Sequence, residues 1–264
     1  MKRYDEVIPQ DVRNKISTRY KRVTRAINKQ FRGIESETQY SFYVGSYGRG
    51  TAIKTSDIDI LVELPISEYT RFENAKNNGQ SYLLQVVKNA IMTSYPKSDV
   101  RADGQVVKID FSDGIQFEIL PAFKQVDCYG NETYQYPDSN LGGNWKSTNP
   151  KEEQKLMKQK NKSSNELFYS TCKHIRSVRD EKFSSYKLSG IVIDTFVYHA
   201  MGDWHYVSSG TSSNNPYEYE HILLSYFNNY VKYTNSLSAV GSNESVNITS
   251  SKDCLEKILN HLAK

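Results

Sequence analysis

Residues 41–65 read SFYVGSYGRGTAIKTSDIDILVELP, and this stretch decides the fold. SFYV is a short apolar run of strand character. GSYGRG is a glycine-rich turn. DIDILVEL alternates and is rich in β-branched residues, which predicts a second strand. Alternate side chains of a strand share a face, so Asp57 and Asp59 point the same way, with Ile58 buried behind them. Two carboxylates side by side repel unless a cation sits between them. Hard oxygen donors on a rigid strand suit Mg²⁺, which keeps waters and takes its other ligands from substrate phosphates. The glycine-rich turn can offer backbone N–H groups and the Ser46 hydroxyl to a phosphate.

A two-metal phosphoryl-transfer site calls for a third carboxylate on a neighbouring strand. VVKIDF and IQFEILPAF read as two strands joined by a tight turn at Ser112-Asp113-Gly114, with Pro121 closing the second. Glu118 lies between Phe117 and Ile119, so it faces away from the core if they face in. Asp110, in KIDF on the preceding strand, competes for the same role. The bland alternative is a solvated acidic hairpin. The spacing weighs against it: Gly45-Ser46, ten residues, then Asp57-Ile58-Asp59, on a strand–turn–strand frame.

Outward from this segment, residues 8–32 carry Val12, Ile16, Tyr20, Val23, Ile27 and Phe31 at helical steps, with a Lys- and Arg-rich opposite face. A second helix is expected over 78–95. Residues 124–150 read as loop. Beyond Pro150 the texture turns helical, over 151–178, 186–204, 217–233 and 251–263. The stretches 207–216 and 235–250 read as polar loops. The expected fold is α+β and two-lobed. An N-terminal mixed α/β lobe, residues 1–150, carries the acids on a small sheet. A helical lobe follows over 151–264. The seam falls near 125–150, and the active site lies in the cleft.

The chain has 264 residues, enough for a real core without disulfide staples. A net charge of +4 permits anionic ligands but does not demand nucleic acid. Cys128, Cys172 and Cys254 are far apart and show no C-x-x-C, which excludes a zinc ribbon and suits a reducing, cytoplasmic setting. The opening MKRYDEVIPQ has no apolar core of a signal peptide, and no run approaches a membrane span. The Asn131, Asn161, Asn243 and Asn247 sequons are then chance matches. His174, His199, His205, His221 and His261 show no ligand spacing with cysteine, so zinc-dependent DNA sensing is not expected.

GSYGRGTAIKTSDIDILVEL resembles the active-site signature of the polymerase-β-like nucleotidyltransferase superfamily. Within it, the chain is most similar to the bacterial cGAS/DncV-like nucleotidyltransferases (CD-NTases, also described as SMODS-domain proteins). FEILPAF resembles their third-acid strand. PDSNLGGNWKSTNP resembles their inter-lobe segment, and KHIRSVRD with FSSYKLSGIVIDTFVYH their helical lobe. The likeness covers roughly residues 10–205. It implies an enzyme that joins NTPs into cyclic di- or trinucleotides for anti-phage signalling, read by a downstream effector. A regulatory protein is a possible further partner.

By the same resemblance, Gly45 and Ser46 hold the donor triphosphate. Asp57, Asp59 and Glu118 hold two Mg²⁺ ions, for which Mn²⁺ can substitute. Lys173 reaches the triphosphate, Ser185 adds a hydroxyl and Tyr186 stacks on a nucleobase. Arg49 and Lys54 meet either phosphate or water. Tyr43, Asn144, Asn165 and Tyr186 are candidates for base choice. The chain departs from the family in having Glu rather than Asp as third acid. Two alternatives stand beside this reading: a sister nucleotidyltransferase making linear or RNA-tailed products, and a catalytically silent nucleotide- or RNA-binding module. The P-loop and the kinase motifs are absent, which sets aside GTPases and kinases.

Overall fold

A computed structural model describes residues 1, 3, 4, 6–207 and 218–264. The chain divides into two compact units. A sheet unit comprises Ile8–Gly48 and Ser56–Asn149. A helical unit comprises Met1–Val7, Arg49–Thr55 and Pro150–Lys264. The short segment Arg49–Thr55 thus leaves the sheet unit between the glycine-rich turn and the acid-bearing strand, although the sequence assigns it to the N-terminal lobe.

The sheet unit holds seven strands: β1 (Ser41–Tyr43), β2 (Ile58–Leu64), β3 (Asp99–Asp103), β4 (Val106–Asp110), β5 (Gln116–Val126), β6 (Glu132–Asp138) and β7 (Asn144–Thr148). Five of them run in the order β1-β2-β5-β4-β3, and β6 joins β5 to β7. Only β2 and β5 pair in parallel; the other pairs are antiparallel. Helices α1 (Gln10–Arg32) and α4 (Gly79–Ser94) belong to the same unit, with the five-residue helix α3 (Tyr69–Glu73) and all but the last residue of another, α2 (Gly45–Arg49). Gly33 ends α1 in the left-handed conformation, and its N–H bonds Lys29. The Asn78 side chain caps α4 by accepting from the Ser81 N–H at 2.8 Å.

Alternation builds the core. On β2, Ile58, Ile60, Val62 and Leu64 face one side and pack with Val107, Ile109, Phe117, Ile119 and Phe123. Ile16, Val23 and Ile27 of α1 and Leu83, Val87 and Ile91 of α4 cover that face. Each such side chain contributes on the order of 2 kcal/mol by leaving water. The opposite face carries a small cluster of Val44, Leu61, Ala122 and Tyr134. Next to it lie the polar residues of the same face.

The helical unit contains α5 (Pro150–Ser163), α6 (Leu167–Lys182), α7 (Gly190–Ala200), α8 (Glu218–Asn229), α9 (Lys252–Leu262) and a hairpin, β8 (Ser236–Ser238) with β9 (Ser245–Asn247). Its core includes Phe168, Ile175, Phe196, Leu223, Phe227 and Ile258. No helix among the described residues is long and apolar enough to cross a membrane.

Several boundaries differ from the sequence expectation. Residues 124–150 are not loop: β5 runs to Val126, and β6 and β7 follow. Pro121 does not close β5. It falls between the stretch paired with β4 (Gln116–Ile119) and the stretch paired with β6 (Phe123–Val126), where that edge has no neighbour needing an N–H. The helix expected over 151–178 breaks at Asn165 and Glu166, both at positive φ. The one expected over 186–204 starts only at Gly190. The stretch 235–250 holds the β8–β9 hairpin. Apart from Val207, the loop expected over 207–216 lies outside the described residues.

Candidate active site

The parallel pairing of β2 with β5 sets Asp59 directly beside Glu118. In-register neighbours on adjacent strands share a face, and strands lie about 4.8 Å apart. Both carboxylates are half-buried. They line one cavity of about 250 Å³, together with Val44, Gly45, Gln105, Val106, Leu120, Tyr136 and Thr148.

The glycine-rich segment is a single helical turn, α2, rather than an open turn. The Gly48 N–H donates to the Val44 carbonyl at 2.9 Å, and the Val44 N–H donates to the Asp59 carbonyl at 2.9 Å. The turn is therefore bonded to β2 at the acid itself. Gly45 enters it at φ +56°, and a Cβ on Gly45 would stand 1.8 Å from Asp59 Oδ2. Only glycine lets the carboxylate rest on the backbone here, for steric and conformational reasons together. Ser46 follows in the same turn, half-buried.

Asp57 and Asp59 are not equivalent. Asp57 precedes β2 and is exposed, whereas Asp59 lies within the strand. Ile58 between them is 2% exposed, as the alternation requires. Asp110 stands elsewhere on the sheet. It pairs with Gln116 in register, accepts from Gln116 Nε2 at 2.9 Å and is held by Arg101 at 2.6 Å. Glu118, not Asp110, is thus the acid that the fold sets beside Asp59.

A residue absent from the sequence reading completes this row. Lys108 on β4 is the in-register partner of Glu118, with Nζ 3.2 Å from Glu118 Oε1 and 2.9 Å from Asp103 Oδ2. The hydrogen bond to Asp103 raises the lysine's pKa against the opposing effect of burial, and the one to Glu118 adds to it.

Whether these side chains suit a divalent cation is a matter of donor chemistry. Among the described residues, no group of three or more His, Cys, Asp or Glu is gathered around one point. Two adjacent carboxylates on rigid strands nonetheless match the usual protein share of a Mg²⁺ site, the rest being waters and substrate phosphates.

The remaining candidates are not members of this row. Lys173, on α6, is half-buried, and that burial pulls its pKa below the ordinary lysine value. Ser185 and Tyr186 are exposed in the segment before α7. The Tyr186 ring has Phe183 at 6.3 Å and Lys257 Nζ at 5.1 Å. All three belong to the helical unit. Tyr43 packs between Tyr20 and Tyr47, at 4.5 and 4.8 Å, and burial raises the pKa of its hydroxyl. Asn165 sits at the α5–α6 break and donates to the Tyr206 carbonyl. Asn144 is exposed at the start of β7.

Arg49 is turned away from water. It is 7% exposed and donates from Nε to Asp194 Oδ2 at 2.7 Å. Asp194, wholly buried, also binds Arg176 through both oxygens and accepts from the Thr51 hydroxyl. Burial works against the charge on Asp194, but the Arg176 and Arg49 guanidiniums outweigh it and hold the carboxyl below its ordinary range. Lys54 is exposed.

Comparison with known proteins bears on the family and the fold. Residues 2–161 match the family model described as the Second Messenger Oligonucleotide or Dinucleotide Synthetase domain. No curated protein matches the chain by sequence. Among solved structures, it resembles the Elizabethkingia meningoseptica CdnE cyclic dinucleotide synthase with GTP and Apcpp. The identity is 15%, the TM-score 0.66, and 94% of this chain and 89% of that one are covered. A Bradyrhizobium diazoefficiens CD-NTase, CdnG, in complex with GTP matches at 13% identity and TM-score 0.64, covering 98% and 87%. The E. coli CdnC:HORMA-deltaN complex matches at 13% identity and TM-score 0.62, covering 97% and 84%. These likenesses show a shared mixed α/β fold.

Proposed function

The chain belongs to the Second Messenger Oligonucleotide or Dinucleotide Synthetase (SMODS) family, and we propose that it is a Mg²⁺-dependent nucleotidyltransferase that joins NTPs into a cyclic oligonucleotide. The observation that carries this reading is Asp59 and Glu118 in register beside Gly45, lining one cavity. Support for nucleotide substrates comes from the solved relatives, whose structures hold GTP or a nucleotide analogue.

In this proposal, Gly45 and Ser46 take the donor triphosphate. Asp57, Asp59 and Glu118 hold the divalent ions, two in number, with Mn²⁺ as a substitute. Bound there, the metal lowers the pKa of the acceptor ribose hydroxyl and offsets charge on the leaving pyrophosphate. The acceptor hydroxyl attacks the α-phosphorus, the bond to the β-phosphate oxygen breaks, and pyrophosphate departs. The free ribose hydroxyl of the linear product then attacks that product's own α-phosphorus, the bond to its β-phosphate oxygen breaks, and a second pyrophosphate departs as the ring closes. Rigid placement of Asp59 on a central strand keeps the acid from having to reorganise during either step. Lys173 and Ser185 are assigned to the triphosphate, and Tyr186 to a nucleobase.

The product class we favour is a cyclic dinucleotide, made in the cytoplasm as an anti-phage signal and read by a separate effector. The CdnC relative with HORMA lends support to a protein regulator as a further partner. The test is pyrophosphate release from NTPs with Mg²⁺. The proposal expects release by the natural chain and at least a hundredfold less from Asp59→Asn. Equal release by both proteins would overturn it.

A further inference from the structure

Glu118 sits in the middle of one row across the sheet. Asp59 lies beside it on β2 and Lys108 beside it on β4, each in direct register. Like charges set opposite one another on neighbouring strands destabilise a sheet, and opposite charges stabilise it. The carboxylate of Glu118 makes the favourable choice: Oε1 is 3.2 Å from Lys108 Nζ. That ammonium is also tied to Asp103 at 2.9 Å, so it is held between two acids rather than free to swing into solvent. A divalent cation between Asp59 and Glu118 needs the same carboxylate. It also meets a positive charge one strand away.

We propose that Lys108 is the resident counter-ion of Glu118 and competes with the divalent cation for it, so that Lys108 sets the metal affinity of the site. The proposal rests on the reading that Asp59 and Glu118 hold a divalent ion. Two effects of Lys108 oppose each other, and their sizes decide the sign. As an orienting partner it would help metal binding, by fixing Glu118. That help is small, because β5 is paired on both sides at Glu118 and already fixes its Cα. As a cation about one strand spacing away, it repels a dication and occupies a ligand, and this effect is the larger in a half-buried row. A longer acid has a use here. Glu has one more methylene than Asp, which lets the carboxylate turn from Lys108 to the metal while the backbone stays in register.

The experiment is Mn²⁺ binding to the full chain without nucleotide, read by electron paramagnetic resonance of the free ion. The proteins are the natural chain, Lys108→Gln, Lys108→Arg, Asp59→Asn, Glu118→Gln and the Lys108→Gln/Glu118→Gln double variant, each checked for native circular dichroism. We expect Lys108→Gln to bind Mn²⁺ roughly three- to tenfold more tightly, and Lys108→Arg, which keeps the charge, to match the natural chain. In the Glu118→Gln background the gain should fall by at least half, because the contested ligand is gone. Unchanged or weaker binding in Lys108→Gln overturns the proposal while leaving the metal reading intact. Mn²⁺ binding that is absent, or indifferent to Asp59→Asn, overturns the metal reading and this proposal with it.

Discussion

Gly45→Ala isolates the contact between the glycine turn and the acid. The new methyl would stand 1.8 Å from Asp59 Oδ2, 2.4 Å from its Cγ and 2.8 Å from its Cβ. No contact that short survives, so the carboxylate must move by an ångström or more. Misplacement on that scale costs about a hundredfold in rate. Alanine at φ +56° adds about 1 kcal/mol of backbone strain, which alone shifts the melting temperature by about 2–4 °C. A control separates the two effects. Gly33 has φ +66° with nothing within 4 Å of its Cβ position, so Gly33→Ala carries the strain without the collision. Thermal melts and pyrophosphate release would be measured on both variants. Gly33→Ala should lose stability and keep its rate, whereas Gly45→Ala should lose at least fiftyfold in rate. Gly45→Ala within threefold of the natural rate, or equal losses in both variants, would refute the reasoning.

Other expectations follow from the same geometry. Asp57→Asn with Asp59→Asn should abolish product with little change in the melt, since neither acid packs in the core; natural activity in this variant would remove the metal assignment. Glu118→Gln should cost at least tenfold in rate, and more than Asp110→Asn, because only Glu118 lies in register with Asp59; the reverse order would move the third ligand to Asp110. Asp194→Asn should destabilise the protein by about 3–5 kcal/mol in a denaturant melt, because it takes the carboxylate from the buried Arg176 guanidinium, while Arg49 keeps Glu153 at 3.2 Å; a loss under 1 kcal/mol would contradict the network. Hydrogen bonding from Arg19, helped by its charge and opposed by desolvation, lowers the Asp113 pKa from 3.8 to about 2. A depressed folded-state pKa contributes stability above pH 4 that is lost as the pH falls toward 2. Asp113→Asn should therefore flatten that part of the acid melt by no more than about 1 kcal/mol, the pair being partly exposed.

How far the sequence reveals all this varies by element. Asp59 and Glu118 are legible because period-2 alternation is strong in IDILVEL and QFEIL, where every second residue is a large apolar one. β6 and β7 are not, since ETYQYPD and NWKST are polar strings whose strand character rests on buried Tyr134 and half-buried Tyr136 and Trp145. The partnership of Lys108 with Glu118 is legible in hindsight. The turn centred on Asp113 pairs residues equidistant from it, and these two lie five positions to either side. Arg49 shows the opposite limit. Beside a glycine turn it reads as meeting either phosphate or water, yet its partner Asp194 lies 145 residues away, a distance no local pattern reports. The pairing Asp57-x-Asp59 implies two equal acids, but the strand begins only after the first, so solvent reaches one far more than the other.

The central claim is tested most directly by incubating the pure protein with all four NTPs and Mg²⁺, treating with phosphatase and weighing the products by mass spectrometry, with Asp59→Asn alongside. The account predicts a phosphatase-resistant species with the mass of two joined nucleotides closed into a ring, absent from the variant. Linear products, transfer to added RNA, or the same species from Asp59→Asn would contradict it.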